Sequence, residues 1–245
     1  MGSNIGSIKK GKGAIRVCAA ALTAAVFFVL AGTGCGDLDH VTAGGDKYVD
    51  ENGGGQGSEQ FRDSRDGQNY RTVRVGSLLL WMAENLNYET DDSWCYDDDP
   101  ANCELYGRLY TWEAAMSACP AGWRLPHNRD WNNLIQSTGG TNSGAIDLKA
   151  QTGWNENGNG SDTFGFAALP GGARVLNRDP DRDPDNDPTH IFHNIGEYGH
   201  WWSATESSLS DVWTRNIYFA TDYIDEYFDL KSNAFSVRCV RDARL

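Results

Sequence analysis

The sequence is short of positive charge. Lys and Arg number 21 against 34 Asp and Glu, for a net charge of −13. A chain that neutralises nucleic-acid phosphates needs the opposite balance, and an anionic membrane surface would repel this one. No cysteine pair carries zinc-ligand spacing. No G-x-S-x-G nucleophile elbow occurs, and none of His127, His190, His193 and His200 sits in a metal motif. Carboxylates are plentiful, yet nothing in their spacing singles out a glycosidase pair. The charge balance leaves neutral glycans, cations or plain solubility as its reading.

What is present is glycine and aromatic surface: 28 Gly and nine Trp in 245 residues, with a hydrophobic content of 40%. That is enough for one large or two small domains, rich in turns around an aromatic interior. The first 34 residues have no acid. They carry Lys9, Lys10, Lys12 and Arg16, then the apolar run Val17–Ala31, too short and alanine-rich for a comfortable membrane span. This is the pattern of a secretory signal. The stretch "LAGTGC" ends it, with Gly34 before Cys35, as in a bacterial lipoprotein signal. Gly32 departs from the apolar residue usual there. Cys35 is therefore the candidate lipidation site, and ordinary cleavage nearby is the alternative. Loss of residues 1–34 takes the charge from −13 to −17. Residues 35–68, with "ENGGGQGSEQ", hold few large apolar side chains and are expected to form a flexible tether. The folded domain is expected over 69–245.

Within that domain, "YRTVRVGSLLLWMAENL" reads as an opening strand or hairpin. Tyr110–Ala118 has helical spacing, with Trp112, Ala115 and Met116 on one side. A second helix is expected after Pro126, with Asn128 as N-cap, an apolar face of Trp131, Leu134 and Ile135, and Gly139 at its end. Trp154–Leu169 reads as loops and short strands. "VWTRNIYF", "YIDEYFDL" and "FSVRCVRD" alternate and predict three antiparallel strands. The expected class is α+β, with two helices, a small antiparallel sheet and a long loop region.

Cys18 leaves with the signal and Cys35 is the lipid site. Cys95, Cys103, Cys119 and Cys239 remain, an even number in an exported chain. Of three possible pairings, Cys95–Cys103 around the turn-forming "YDDDPAN" is the natural local bridge, which leaves Cys119 for Cys239.

Five segments occur in order: "WMAENLNY" (81–88), "CELYGRLYTWEAAMSACPAGWRLPHNRDW" (103–131), "FGFAALPGGAR" (164–174), "GHWWSATE" (199–206) and "SVRCVRD" (236–242). Together they resemble the Fibrobacter succinogenes major paralogous domain, a family of exported bacterial proteins, many of them lipoproteins. The resemblance implies a cell-envelope location and a C-type-lectin-like or formylglycine-generating-enzyme-like pattern. It implies no activity. A formylglycine-generating chemistry would need a late pair of reactive cysteines, and only Cys239 follows Cys119.

Trp201 and Trp202 are adjacent. In a strand they point to opposite faces, so the pair reads more economically as packing than as one stacking platform. The ligand-facing candidates are Trp154, Trp202, Trp213, Tyr223 and His200, since aromatic faces match the apolar faces of sugar rings. Tyr218 and Tyr227 are further candidates for exposed rings. Asp179, Asp181, Asp183, Asp185 and Asp187 alternate through "NRDPDRDPDNDPTH", which departs from the family pattern. They are a candidate Ca²⁺ set, although the turn glycine and terminal glutamate of an EF-hand loop are missing. The competing reading is a solvated acidic insert, and Asp97, Asp98 and Asp99 are read as a solvated turn. The expectation is a non-enzymatic, lipid-anchored envelope module that binds polysaccharide through its long loop region. The alternatives are a protein-binding structural lipoprotein and an envelope enzyme acting on glycans.

Overall fold

A computed structural model of the chain describes residues 59–76, 79–177 and 189–243. The signal, Cys35, most of the tether and the five alternating aspartates from Asp179 to Asp187 lie outside the described residues. Among those described, no helix is long and apolar enough to cross a membrane.

The first sheet has four strands in the order β1-β2-β3-β12: β1 (Glu59–Arg62), β2 (Asn69–Val73), β3 (Leu79–Met82) and β12 (Val240–Asp242). Strand β1 falls inside the stretch expected to be tether. It is ordered because its hairpin turn is pinned. Asp63 is buried and takes the Arg65 guanidinium at 2.7 Å, Gly67 supplies a φ of +80°, and Phe61 lies 5.1 Å from the Trp123 ring.

The second sheet has eight strands: β4 (Ser93–Trp94), β5 (Leu109–Thr111), β6 (Ala173–Leu176), β7 (His190–His193), β8 (Tyr198–Glu206), β9 (Asp211–Tyr218), β10 (Ile224–Leu230) and β11 (Ala234–Ser236). Its order is β10-β9-β8-β11-β5-β4, with the β6–β7 hairpin joined to β11. Only the β11–β8 pairing is parallel among the named strands. The last expected strand, "FSVRCVRD", is divided: β11 closes this sheet and β12 joins the other. Between them Val237 and Cys239 bond backbone-to-backbone with Leu86 and Met82.

Four short α-helices complete the described residues: α1 (Pro100–Tyr106), α2 (Trp112–Ala118), α3 (Asn128–Ser137) and α4 (Ala145–Leu148). The expected α+β class with a C-type-lectin-like pattern is overturned. Twelve strands in two sheets make the protein mostly β, because segments read as loops or tether find pairing partners. The long helical spacings seen in sequence extend only 7 and 10 residues. In α2 the buried side is Trp112, Ala115 and Ala118, whereas Met116 is 45% exposed. In α3 the apolar face is Trp131, Leu134 and Ile135 as expected. The cap position is His127, whose backbone N–H donates to Asp130 at 2.9 Å.

Both expected disulfides are present, Cys95–Cys103 and Cys119–Cys239. The second ties the end of α2 to the crossover between the sheets and lies in the hydrophobic core.

Candidate functional site

Trp201 and Trp202 answer the packing question first. They leave β8 in opposite directions into two different cores. Trp201 joins Trp81 and Trp131, while Trp202 packs at 4.5 Å from Phe235. Both indole N–H groups are satisfied inside, by Asn85 at 2.9 Å and by the Tyr110 carbonyl at 2.7 Å. A side chain at Gly199 would meet the Trp201 ring at 2.2 Å, so the glycine is required by that close approach.

Asn85 does more than satisfy Trp201. Its Oδ1 also accepts from the Arg238 Nε at 2.7 Å, and its Nδ2 donates to the Tyr106 carbonyl at 2.8 Å. Arg238 is fully buried, and among the described residues no carboxylate lies at hydrogen-bond distance from it. Its other N–H groups reach the carbonyls of Met82, Phe166 and Ala167, and its guanidinium carbon lies 4.5 Å from the Phe166 ring centroid. Burial pulls its pKa down to about 9. Asn85, Tyr106, Phe166, Trp201 and Arg238 each come from a different one of the five sequence segments. These segments therefore meet in one buried polar knot, and what they encode here is the fold.

The ligand-facing candidates separate accordingly. Trp202 is enclosed. Trp154 is also buried, with its indole N–H on the Ala168 carbonyl at 3.0 Å. Neither ring offers a face to a sugar. His200 stacks between Tyr198 and Phe235, and its Nδ1 lies 2.9 Å from the Asn216 amide oxygen. Burial pushes its pKa down to about 4, so at neutral pH it is an uncharged packing element. Tyr223 is 52% exposed, just ahead of β10. Trp213 is half-buried on β9, edge-on to Phe228 at 5.9 Å. Asp97 and Asp98 are exposed, while the Asp99 side chain caps α1 through the Ala101 N–H. Among the described residues no cluster of His, Cys, Asp or Glu is grouped to hold a metal ion.

A concavity lies elsewhere, at the β4 edge of the eight-stranded sheet. It is a cleft of about 770 Å³ between the β1–β2 turn and the Cys95–Cys103 loop. Tyr88 and Trp94 line it, with Gln68, Asn87 and Glu89. Both rings are half-buried and each is backed by a guanidinium: Arg65 lies 3.6 Å from the Tyr88 centroid and Arg174 lies 4.1 Å from that of Trp94. A guanidinium over a ring face favours that orientation by roughly 0.5–2 kcal/mol. The Arg108 side chain reaches the Ser93 carbonyl at 3.1 Å and both disulfide sulfurs at 3.6 and 3.8 Å, and it pairs with Glu89 at 3.4 Å. Asp66, Asp98 and Glu104 complete an anionic rim. The arrangement presents rings, amide groups and hydroxyl-accepting carboxylates to one space. Sequence reading missed it because Asp66 and Gln68 were assigned to the tether. The available signal was the density of aromatic, amide and acidic residues in "NLNYETDDSWC", next to a local disulfide.

Neither curated proteins nor solved structures return a match to the chain. The family model of the Fibrobacter succinogenes major domain matches residues 69–241. That span holds all five residues of the buried knot, and the chain belongs to the Fibrobacter succinogenes major domain family.

Proposed function

We propose that this protein is a cell-envelope module that binds polysaccharide in the cleft at the β4 edge. The observation that carries the reading is the pairing of two rings, Tyr88 and Trp94, each with a guanidinium beside it, in one cleft with amides and carboxylates. Sugar rings have apolar C–H faces and a polar rim of hydroxyls, and such a lining meets both needs. The anionic rim favours neutral sugars and repels polyuronates. Titration calorimetry of the oxidised full chain with xylohexaose, cellohexaose and mannohexaose tests it. One of them should give saturable heat that Tyr88→Ala or Trp94→Ala weakens about tenfold or more, roughly 1.4 kcal/mol. Absence of heat with all three, or heat untouched by both variants, contradicts the cleft assignment. Repeating the titration with and without Ca²⁺ reads out any contribution of the carboxylates from Asp179 to Asp187.

The envelope location rests on sequence: the basic stretch, the apolar run and the small residue before Cys35. Lipidation at Cys35 would tether the domain to a membrane. Metabolic labelling with an alkynyl palmitate should mark the wild-type protein and not Cys35→Ala; equal labelling of both would remove the anchor from the account.

A further inference from the structure

The opposite edge of the eight-stranded sheet carries a second constellation, built around a buried arginine. Arg215, on β9, is 1% exposed. One terminal nitrogen donates to the Asn132 Oδ1 at 2.7 Å and to the Glu226 carboxylate at 2.5 Å. The other donates to the Thr214 carbonyl and, at 3.4 Å, to the Asn128 Oδ1. Asn128 and Asn132 are four apart on α3 and so share one helix face. A guanidinium has donors only, so each amide must present oxygen to it. Each amide nitrogen is thereby turned away from Arg215, and one Glu226 oxygen is left to accept. Trp213 and Phe228 lie beside them. They are cross-strand partners two residues from Arg215 and Glu226, hence on the same sheet face.

The residue types matter. An aspartate at 128 or 132 would meet Arg215 with a charge, and at 128 it would also favour the first turn of α3. Asn132 is exposed and Asn128 half-buried, so their amide N–H groups are open to solvent and accessible to a ligand. Two fixed amide donors, one carboxylate acceptor and an aromatic edge match a vicinal diol on a sugar ring.

We propose that Asn128, Asn132 and Glu226, oriented by Arg215 and flanked by Trp213 and Phe228, form a second saccharide subsite. Its sugar chemistry rests on the polysaccharide reading of the cleft. The two sites lie at opposite edges of the sheet, five strand spacings or about 24 Å apart. A short oligosaccharide would fill each separately, while one polymer chain could engage both, raising avidity without any new contact.

The test uses the oxidised full chain with xylobiose, cellobiose and mannobiose, and with the corresponding polymers immobilised. Indole resonances in NMR spectra report Trp94 and Trp213 separately. Both should shift with the same disaccharide. Asn128→Asp with Asn132→Asp keeps both oxygens on Arg215 but removes both donors. This double variant should fold as the wild type does, lose the Trp213 response, keep the Trp94 response, and bind polymer at least tenfold more weakly. Phe228→Ala, at the exposed edge, provides a second variant should the double variant fail to fold, and it should weaken the Trp213 response. A Trp213 that never responds, or that responds equally in the wild type, the double variant and Phe228→Ala, overturns the subsite while leaving the cleft standing. A Trp213 response without a Trp94 response supports the subsite and removes the cleft.

Discussion

Asn85 and Arg238 show how much of this fold hangs on a few polar atoms. A buried guanidinium is tolerated only when its donors are met. Here neutral acceptors from distant segments meet them, and one amide oxygen serves both Arg238 and Trp201. Asn85→Ala would orphan the Trp201 N–H and the Arg238 Nε together while opening a small void. The expected cost is about 2–4 kcal/mol, readable as a lower urea midpoint at an unchanged m-value. A loss below about 0.5 kcal/mol would show that the knot does not hold the motif segments together. Arg238→Met removes the charge but leaves the carbonyls of Met82, Phe166 and Ala167 without that donor, so it too should lower the urea midpoint. The same scale explains which candidates failed as ligand contacts. Indole and imidazole rings in a glycine-rich sequence look available, and only packing reveals that Trp154 and Trp202 are enclosed and that half-buried His200 is stacked between Tyr198 and Phe235.

At the scale of elements, the two disulfides do different work. Cys119–Cys239 closes a separation of 120 residues and sits in the core. Chain entropy alone makes it worth about 5 kcal/mol, against about 2–3 kcal/mol for the eight-residue separation of Cys95–Cys103. Replacing Cys119 and Cys239 by alanine should therefore lower the urea midpoint much more than replacing Cys95 and Cys103, whereas loss of the local bridge should chiefly impair saccharide binding, because it forms a cleft wall. Equal destabilisation by both would contradict this division. The Cys95–Cys103 bridge and the apolar face of α3 were legible because each follows from local spacing, and with four cysteines the local bridge leaves Cys119 for Cys239. The β1 strand and the split of the last strand were not. β1 is a four-residue strand whose order depends on Asp63, Arg65 and a distant Trp123. The crossover from β11 to β12 is buried throughout, so no alternation marks where one sheet is exchanged for the other. The mostly β class stayed hidden for the same reason: short strands gain their stability from partners, not from their own sequence.

For the whole molecule, sequence and site point the same way. The five family segments fold the domain, and the residues that face solvent in concave or aromatic settings lie largely outside the knot they form. The net charge of −13 opposes long-range attraction of polyanions and has no such effect on neutral molecules. The two aromatic settings occupy opposite edges of one continuous sheet, so they are held at a fixed spacing. The central claim is that the cleft lined by Tyr88 and Trp94 takes a neutral saccharide. The most direct measurement is an indole NMR titration of the oxidised full chain with the three hexasaccharides named above. The account predicts that Trp94 shifts and saturates while buried Trp81, Trp201 and Trp202 stay in place. A Trp94 resonance that never moves with any of the three sugars would contradict it.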